Sequence, residues 1–167
     1  MLSRVAERMY WAGRYSERVE AMARLVRTHT ALLLDLPEDS GSNWTQLLRI
    51  INAEADFAER YPSASERHVV TYLLADTDNP GSLLSCLAQL RENIRTSRDI
   101  VPREGWEWVN EFYLMVHGKI GRTGAQPKLR QDVLVDCVAR CQRLNGLLAG
   151  TMSHGAGYNF MMIGSHF

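Results

Sequence analysis

The chain has 167 residues, enough for one continuous core and too few for a second independent domain of ordinary size. Lys plus Arg equal Asp plus Glu at 19 each, so no overall field draws it toward nucleic acid or anionic lipid, and any charged site must be local. Cys86, Cys137 and Cys141 form an odd set, too sparse for a secreted disulfide scaffold, and no stretch reads as a signal peptide or membrane span. The expected address is the cytoplasm, with neither a membrane nor nucleic acid as partner.

From Ser3, a side chain suited to an N-cap, to about Asp35 there is no proline and one glycine, while Val5, Met9, Ala12, Val19, Ala23 and Val26 recur at helical spacing. This predicts one long helix, stopped by Leu36-Pro37 and followed by a polar loop from Glu38 to Ser42. Ser42 or Asn43 is expected to cap a second helix carrying Trp44, Leu47, Leu48 and Ile51, which frays near Asn52. Ser65 opens a further segment through Val69, Val70, Tyr72, Leu73 and Leu74. The run Asp76-Thr77-Asp78-Asn79-Pro80-Gly81 is dense turn chemistry, where the chain stops and restarts.

Ser82 can cap the next helix, through Leu83, Leu84, Leu87, Leu90 and Ile94, and Pro102 suits the first turn of the one after it, with Trp106, Trp108, Val109, Phe112, Tyr113 and Val116. Trp106 and Trp108 cannot both face one core, so one of them is expected at a surface or interface. Gly118, Gly121 and Gly124 mark a flexible connector. Pro127 then opens the last long helix, whose Leu134, Cys137, Cys141, Leu144 and Leu148 recur at alternating steps of three and four, the spacing of a bundle seam. With no sustained two-residue alternation, the expectation is an all-α, up-and-down helical bundle of about five to six helices, long in its first and last members, forming a single domain over residues 1–167.

The start of the chain echoes its end: Met1, Val5, Met9 and Gly13 fall on Met152, Ala156, Phe160 and Gly164. In both copies an apolar helical face leads to a glycine, followed in the first by Arg14-Tyr15-Ser16-Glu17-Arg18. The apolar run from Phe160 to Ile163, ending at Gly164-Ser165-His166-Phe167 without capping residues, reads as a helix that something continues.

At these residues the sequence resembles the bacterial alpha-E family, a helical domain named for a recurring Glu-Arg motif. The resemblance rests on Met1-Leu2-Ser3-Arg4-Val5-Ala6-Glu7-Arg8, Tyr10-Trp11-Ala12-Gly13-Arg14-Tyr15 and Glu17-Arg18, then on Asp76, Asn79-Pro80-Gly81-Ser82, Arg91-Glu92-Asn93, Arg95, Trp106-Glu107 and Asn110. The family domain is usually about twice this length, so the resemblance implies that the chain is the first half of a longer, duplicated domain. Ser165 stands where the second copy would carry its arginine, and the second Glu-Arg pair is absent. The resemblance further implies a partner, since members are typically encoded beside or fused to ATP-grasp-like ligases and transglutaminase-like proteins, and hence a role in forming or modifying peptide or amide bonds.

Read from the residues themselves, Arg4, Glu7, Trp11, Arg14 and Arg18 fall on one stripe of the first helix, with Glu17 to its side. A tryptophan among these charges implies that another helix or a partner covers the stripe. Arginine forks suit planar anions, which gives an anion-binding groove built on Arg14 and Arg18 with Glu7 orienting one of them. The alternative is a set of structural ion pairs, Arg4 with Glu7, Arg14 with Glu17 or Arg18, and Glu20 with Arg24. Arg91, Glu92, Asn93 and Arg95, with Arg98 nearby, form a second cluster that can meet the first or simply cross-link helices. At the restart before Ser82 the exposed amides can take a phosphate or be capped by Asn79 or Ser82. Cys137 and Cys141 share a face but lack further ligands, and no His-x-x-x-His pattern occurs, so no metal and no cofactor is expected. Three readings follow: a binding module for a protein partner, an enzyme of amide or acyl chemistry using Glu7 or Glu17 with Arg14, and a half-domain that forms a homodimer.

Overall fold

The computed structural model describes residues 2–35 and 43–166. Met1, Phe167 and the expected stop and loop from Leu36 to Ser42 lie outside the described residues, as does Ser42 as a cap. Among the described residues there are eight helices and no strand: α1 Leu2–Asp35, α2 Trp44–Ile50, α3 Glu54–Arg60, α4 Glu66–Leu74, α5 Leu83–Arg95, α6 Arg103–Ile120, α7 Pro127–Thr151 and α8 Ala156–His166. The expected five to six is corrected upward. α3 adds one helix, because its single buried apolar residue, Phe57, leaves no periodic stripe to read. The long members are the first and the penultimate, since α8 has only 11 residues.

The caps follow local chemistry. Asn43 Oδ1 accepts from Thr45 N at 3.0 Å to start α2, Ser65 Oγ accepts from His68 N to start α4, and Ser82 Oγ accepts from Ser85 N at 3.2 Å to start α5. Asn52 separates α2 from α3 in the left-handed region, with φ of 54°, a conformation asparagine tolerates better than most residues. Asn79 is buried as a turn builder, donating to Tyr72 O and accepting from Gly81 N, both at 2.9 Å.

α1, α5, α6 and α7 form the bundle, each packed against two of the others. They alternate in direction, as cross-contacts show. Arg8 of α1 bonds Thr96 after α5, Arg91 of α5 bonds Asn110 of α6, Trp108 of α6 bonds Arg140 of α7, and Glu20 of α1 is bonded by Gln142 of α7. Leu134, Cys137, Cys141, Leu144 and Leu148 are all buried along α7, as their spacing required, and meet Met9, Val19, Leu90, Ile94, Val109 and Phe112 in one core.

The short helices α2, α3 and α4 pack together beside this bundle. Arg130 of α7 joins them to it: it is 1% exposed, pairs with Glu66 of α4 at 2.5 Å and lies over the Trp44 ring of α2 at 5.4 Å. The connector between α6 and α7 is anchored at Thr123 and Gly124, while Gly121, Arg122, Ala125 and Gln126 stay exposed. Thr123 is buried and bonds Ile120 O at 2.7 Å, and Gly124 comes against Thr71 and Arg67 of α4 so closely that a side chain would collide there. Gly118 belongs to α6.

α8 runs along α1, and the sequence numbers of the contacting residues rise together, so the two helices are parallel. The pair of glycines aligned by the internal echo also meet in space. A Cβ on Gly13 would collide with the Met161 carbonyl, and one on Gly164 with the Tyr10 carbonyl. Glycine at both places lets backbone approach backbone where side chains would hold the helices apart. No helix among the described residues is long and apolar enough to cross a membrane.

Candidate functional site

The stripe on α1 faces outward. Arg4, Glu7 and Arg18 are exposed, Trp11 keeps 37% of its surface, and Arg14 is half-buried. No aromatic ring of another described helix lies against Trp11. Its ring packs instead against its own helix, edge-on to Tyr10 at 5.4 Å and tilted to Tyr15 at 5.6 Å, while the Arg18 guanidinium lies over Tyr15 at 5.8 Å. Residues three and four apart on a helix are neighbours, which is why positions 11, 15 and 18 make one aromatic and cationic ridge.

The ion-pair alternative holds for part of the stripe. Arg14 Nη1 meets Glu17 Oε2 at 3.1 Å, and Glu20 takes Arg24 at 2.6 Å. Among the described residues Arg4 and Glu7 are not paired with each other, and Arg18 has no carboxylate at salt-bridge distance. Arg18 instead lines a cavity of about 460 Å³ with Tyr72, Asn79 and Gly81. Arg14 is thus paired with Glu17, while Arg18, one turn on, turns to the Tyr15 ring and this cavity, and Glu7 pairs with neither.

The second cluster is divided as well. Glu92 and Arg95 pair at 2.6 Å, and this bond holds the Glu92 carboxyl below its ordinary range, with Arg91 and Arg8 adding attraction. Arg8, adjacent to Glu7 and bonded to Thr96 O at 2.9 Å, is the residue that links the two clusters. Asn93 does not cross-link helices: its amide donates to Gln89 O at 2.8 Å on its own helix. Arg91 is held by a neighbouring helix. Its Nε donates to Asn110 Oδ1 at 2.8 Å, and its guanidinium lies 5.4 Å from the Trp106 ring centre and 5.1 Å from that of Tyr113. Trp106 and Trp108 are both half-buried, each under an arginine, Arg98 on the first and Arg140 on the second.

Tyr15 and Tyr113 face one further cavity, of about 530 Å³, between α1, α5 and α6. Sequence periodicity missed Tyr113 and Arg8 because their partners lie on other helices, and Tyr15 carried a signal only in standing four residues after Trp11. At the α5 start Ser82 caps and Asn79 builds the turn, so protein groups serve those amides. No group of three or more metal-ligating side chains occurs among the described residues.

A family model described as a predicted alpha-helical domain with a conserved ER motif matches residues 1–167, the whole chain. No curated protein and no solved structure matches.

Proposed function

The chain belongs to the Alpha-E family, and from that premise we propose that it is a helical binding domain, an accessory to a protein partner in the formation or modification of peptide or amide bonds. The partner class is the one implied by the family resemblance, an ATP-grasp-like ligase or a transglutaminase-like protein. One observation carries the reading: Trp11 stands exposed beside Tyr15 and Arg18 on α1. Tryptophan, tyrosine and arginine are the side chains that dominate binding energy at protein interfaces, because they bury large area at low entropic cost. Arg4 and Arg18, without carboxylate partners among the described residues, supply forks for acidic groups on the partner.

The carboxylates whose acidity is displaced point the same way. Asp56 and Glu92 are both held below their ordinary range, the former first by Tyr72 and the latter first by Arg95, which keeps them charged for pairing rather than poised to move a proton. The test is the affinity of the chain for the ligase-like protein encoded with it. Trp11→Ala and Arg18→Glu should each weaken binding roughly tenfold or more, as interface anchors do. Wild-type affinity in both variants sinks the proposal.

A second reading draws on α8, where Phe160 and Ile163 are 41% and 45% exposed while Met161 between them is buried. Self-association through that face is the homodimer alternative. Sedimentation of the wild type against Phe160→Ser with Ile163→Ser separates it from the first, since only the homodimer reading expects a mass change.

A further inference from the structure

A separate cavity of about 420 Å³ lies between α1, α7 and α8, with α5 beneath it. That volume is in the range of small organic ligands. Leu90, Ile94, Leu144 and Leu148 give it an apolar floor, Ser16, Glu17 and Glu20 stand on the α1 side, and Asn145, Ser165 and His166 line the α7 and α8 sides. Positions 16 and 20, and 17 and 20, are neighbours on a helix, so the three present themselves together.

Each of the three keeps an unused oxygen. Glu17 receives Arg14 through Oε2, which leaves Oε1 without a bond from the protein. Glu20 receives Arg24 and Gln142, both through Oε1, which leaves Oε2 without one. Ser16 is 3% exposed, and its hydroxyl lies buried with no hydrogen-bond partner. The Cys141 thiol beside it, kept protonated by burial, is a weak partner for an oxygen. Two carboxylate oxygens and a hydroxyl, left over after Arg14, Arg24 and Gln142 are served, make the α1 side of the cavity rich in acceptors.

An ammonium has three donors and no acceptor, and suits that acceptor-rich side. An anionic head group would instead meet two carboxylates. We infer that this cavity binds a primary ammonium carried on an apolar group about the size of a leucine or phenylalanine side chain, as found in an amino-acid amide or at the amino terminus of a peptide. The apolar group rests on the leucines of the floor. The ammonium sits between Glu17 and Glu20, and Asn145 at the rim offers its amide to the carbonyl that follows the amine. This site is distinct from the Trp11 ridge and does not depend on the partner reading.

Isothermal titration of the full chain at neutral pH with L-leucinamide, N-acetyl-leucinamide, glycinamide and the peptide Leu-Gly-Gly tests the inference. Leucinamide should bind, with the acetylated and the glycine amides roughly tenfold or more weaker, because one lacks the charge and the other the apolar group. Tighter binding of Leu-Gly-Gly than of leucinamide assigns the site to a peptide terminus, and equal binding assigns it to a free amine. Glu17→Gln combined with Glu20→Gln should remove the preference for the free amine. Gly146→Leu provides a check that leaves these groups in place. A side chain at Gly146, a helical position on the cavity wall, meets open space, so the leucine blocks the mouth without straining α7. Acetylated leucinamide binding as well as the free amine overturns the inference, as does undiminished binding in Gly146→Leu or no binding of leucinamide at all.

Discussion

Gly13 and Gly164 meet the opposite helix in the same way: a Cβ on either would strike the carbonyl of the residue three before the other, Met161 in one case and Tyr10 in the other. Each also faces the amide that follows its counterpart, Ser165 N for Gly13 and Arg14 N for Gly164. The contact between α1 and α8 is thus two-fold symmetric about an axis running along the parallel pair. A helix pair can meet this way only if the same small residue stands at equivalent positions in both.

That symmetry predicts the cost of adding one methyl group. Gly13→Ala and Gly164→Ala should each lower the unfolding free energy by about 1–3 kcal/mol, the range of overpacking against rigid structure, despite the better helix propensity of alanine. Once one substitution has spread the helices, the second has less to disturb. The double variant should therefore lose less than the two single losses together. Urea unfolding of the four proteins measures this, and additive losses would show that the glycines act separately.

Much of the fold was legible in the sequence because α7 and α5 carry their apolar residues at unbroken helical spacing, and because Asn43, Ser65 and Ser82 cap as their side chains dictate. α3 was not, since seven residues with one buried Phe57 carry no period. The site was legible only along one helix. The ion pairs Arg14–Glu17 and Glu20–Arg24 follow from spacing. Arg91 between Trp106 and Tyr113, or Ser16 facing a cavity closed by α7 and α8, depends on which helices become neighbours, and no local pattern encodes that.

Arg130 and Glu66 form an unequal pair, and removing either partner should have unequal effects. Arg130 is 1% exposed and Glu66 45%, so the guanidinium has lost its water while the carboxylate keeps much of its own. Arg130→Met exchanges a buried charge for apolar volume against Trp44 and leaves Glu66 solvated, an exchange that is often close to neutral. Glu66→Ala strands the buried guanidinium, held then by the Thr123 carbonyl and the Trp44 face alone. It should cost about 2–3 kcal/mol, more than Arg130→Met, on the ground that an unpaired buried charge is worse than none. Thermal and urea unfolding of both variants decide it, and the reverse order would mean that packing of the arginine stem dominates.

Tyr72 donates to Asp56 Oδ2 at 2.7 Å and Tyr61 to Asp76 Oδ2 at 3.1 Å, tying α4 and its following turn to the first turn of α3 and the residue that ends it. The Tyr72 bond is the main cause holding the Asp56 carboxyl below its ordinary value, with Arg60 assisting. A depressed carboxylate contributes stability that is present above its unfolded value, near pH 4, and is lost as pH falls through the folded one. Burial, with Asp76 beside it, pushes the Tyr61 hydroxyl up to about 12. A raised tyrosine contributes stability that is complete below about pH 10 and is lost as pH rises toward that folded value. Tyr72→Phe should therefore flatten the acid limb of the stability profile, and Tyr61→Phe the alkaline limb between about pH 10 and 12. Denaturation midpoints measured across both limbs check the assignment, which fails if either variant parallels the wild type throughout.

Cys86, Cys137 and Cys141 are free and buried in the core that α1, α5 and α7 share. Burial pushes the Cys86 thiol up to about 11 and the Cys137 thiol up to about 12, with Asp136 adding to the latter, and drives Cys141 well above its ordinary value. The thiolate is the nucleophile, so these thiols are protected twice, by scarcity of the reactive form and by the packing over it. In the native protein at neutral pH a disulfide reagent such as dithiobis-nitrobenzoate should label none of them on the timescale of free cysteine, and in urea all three should react. Because exposure requires the helices to part, labelling of Cys137 and Cys141 should accelerate in Gly13→Ala by the exponential of its lost stability over RT when opening is global. Rapid native labelling of either residue in the wild type would mean that α7 separates from α1 without unfolding of the rest, and the seam from Leu134 to Leu148 would no longer be the rigid centre of the bundle.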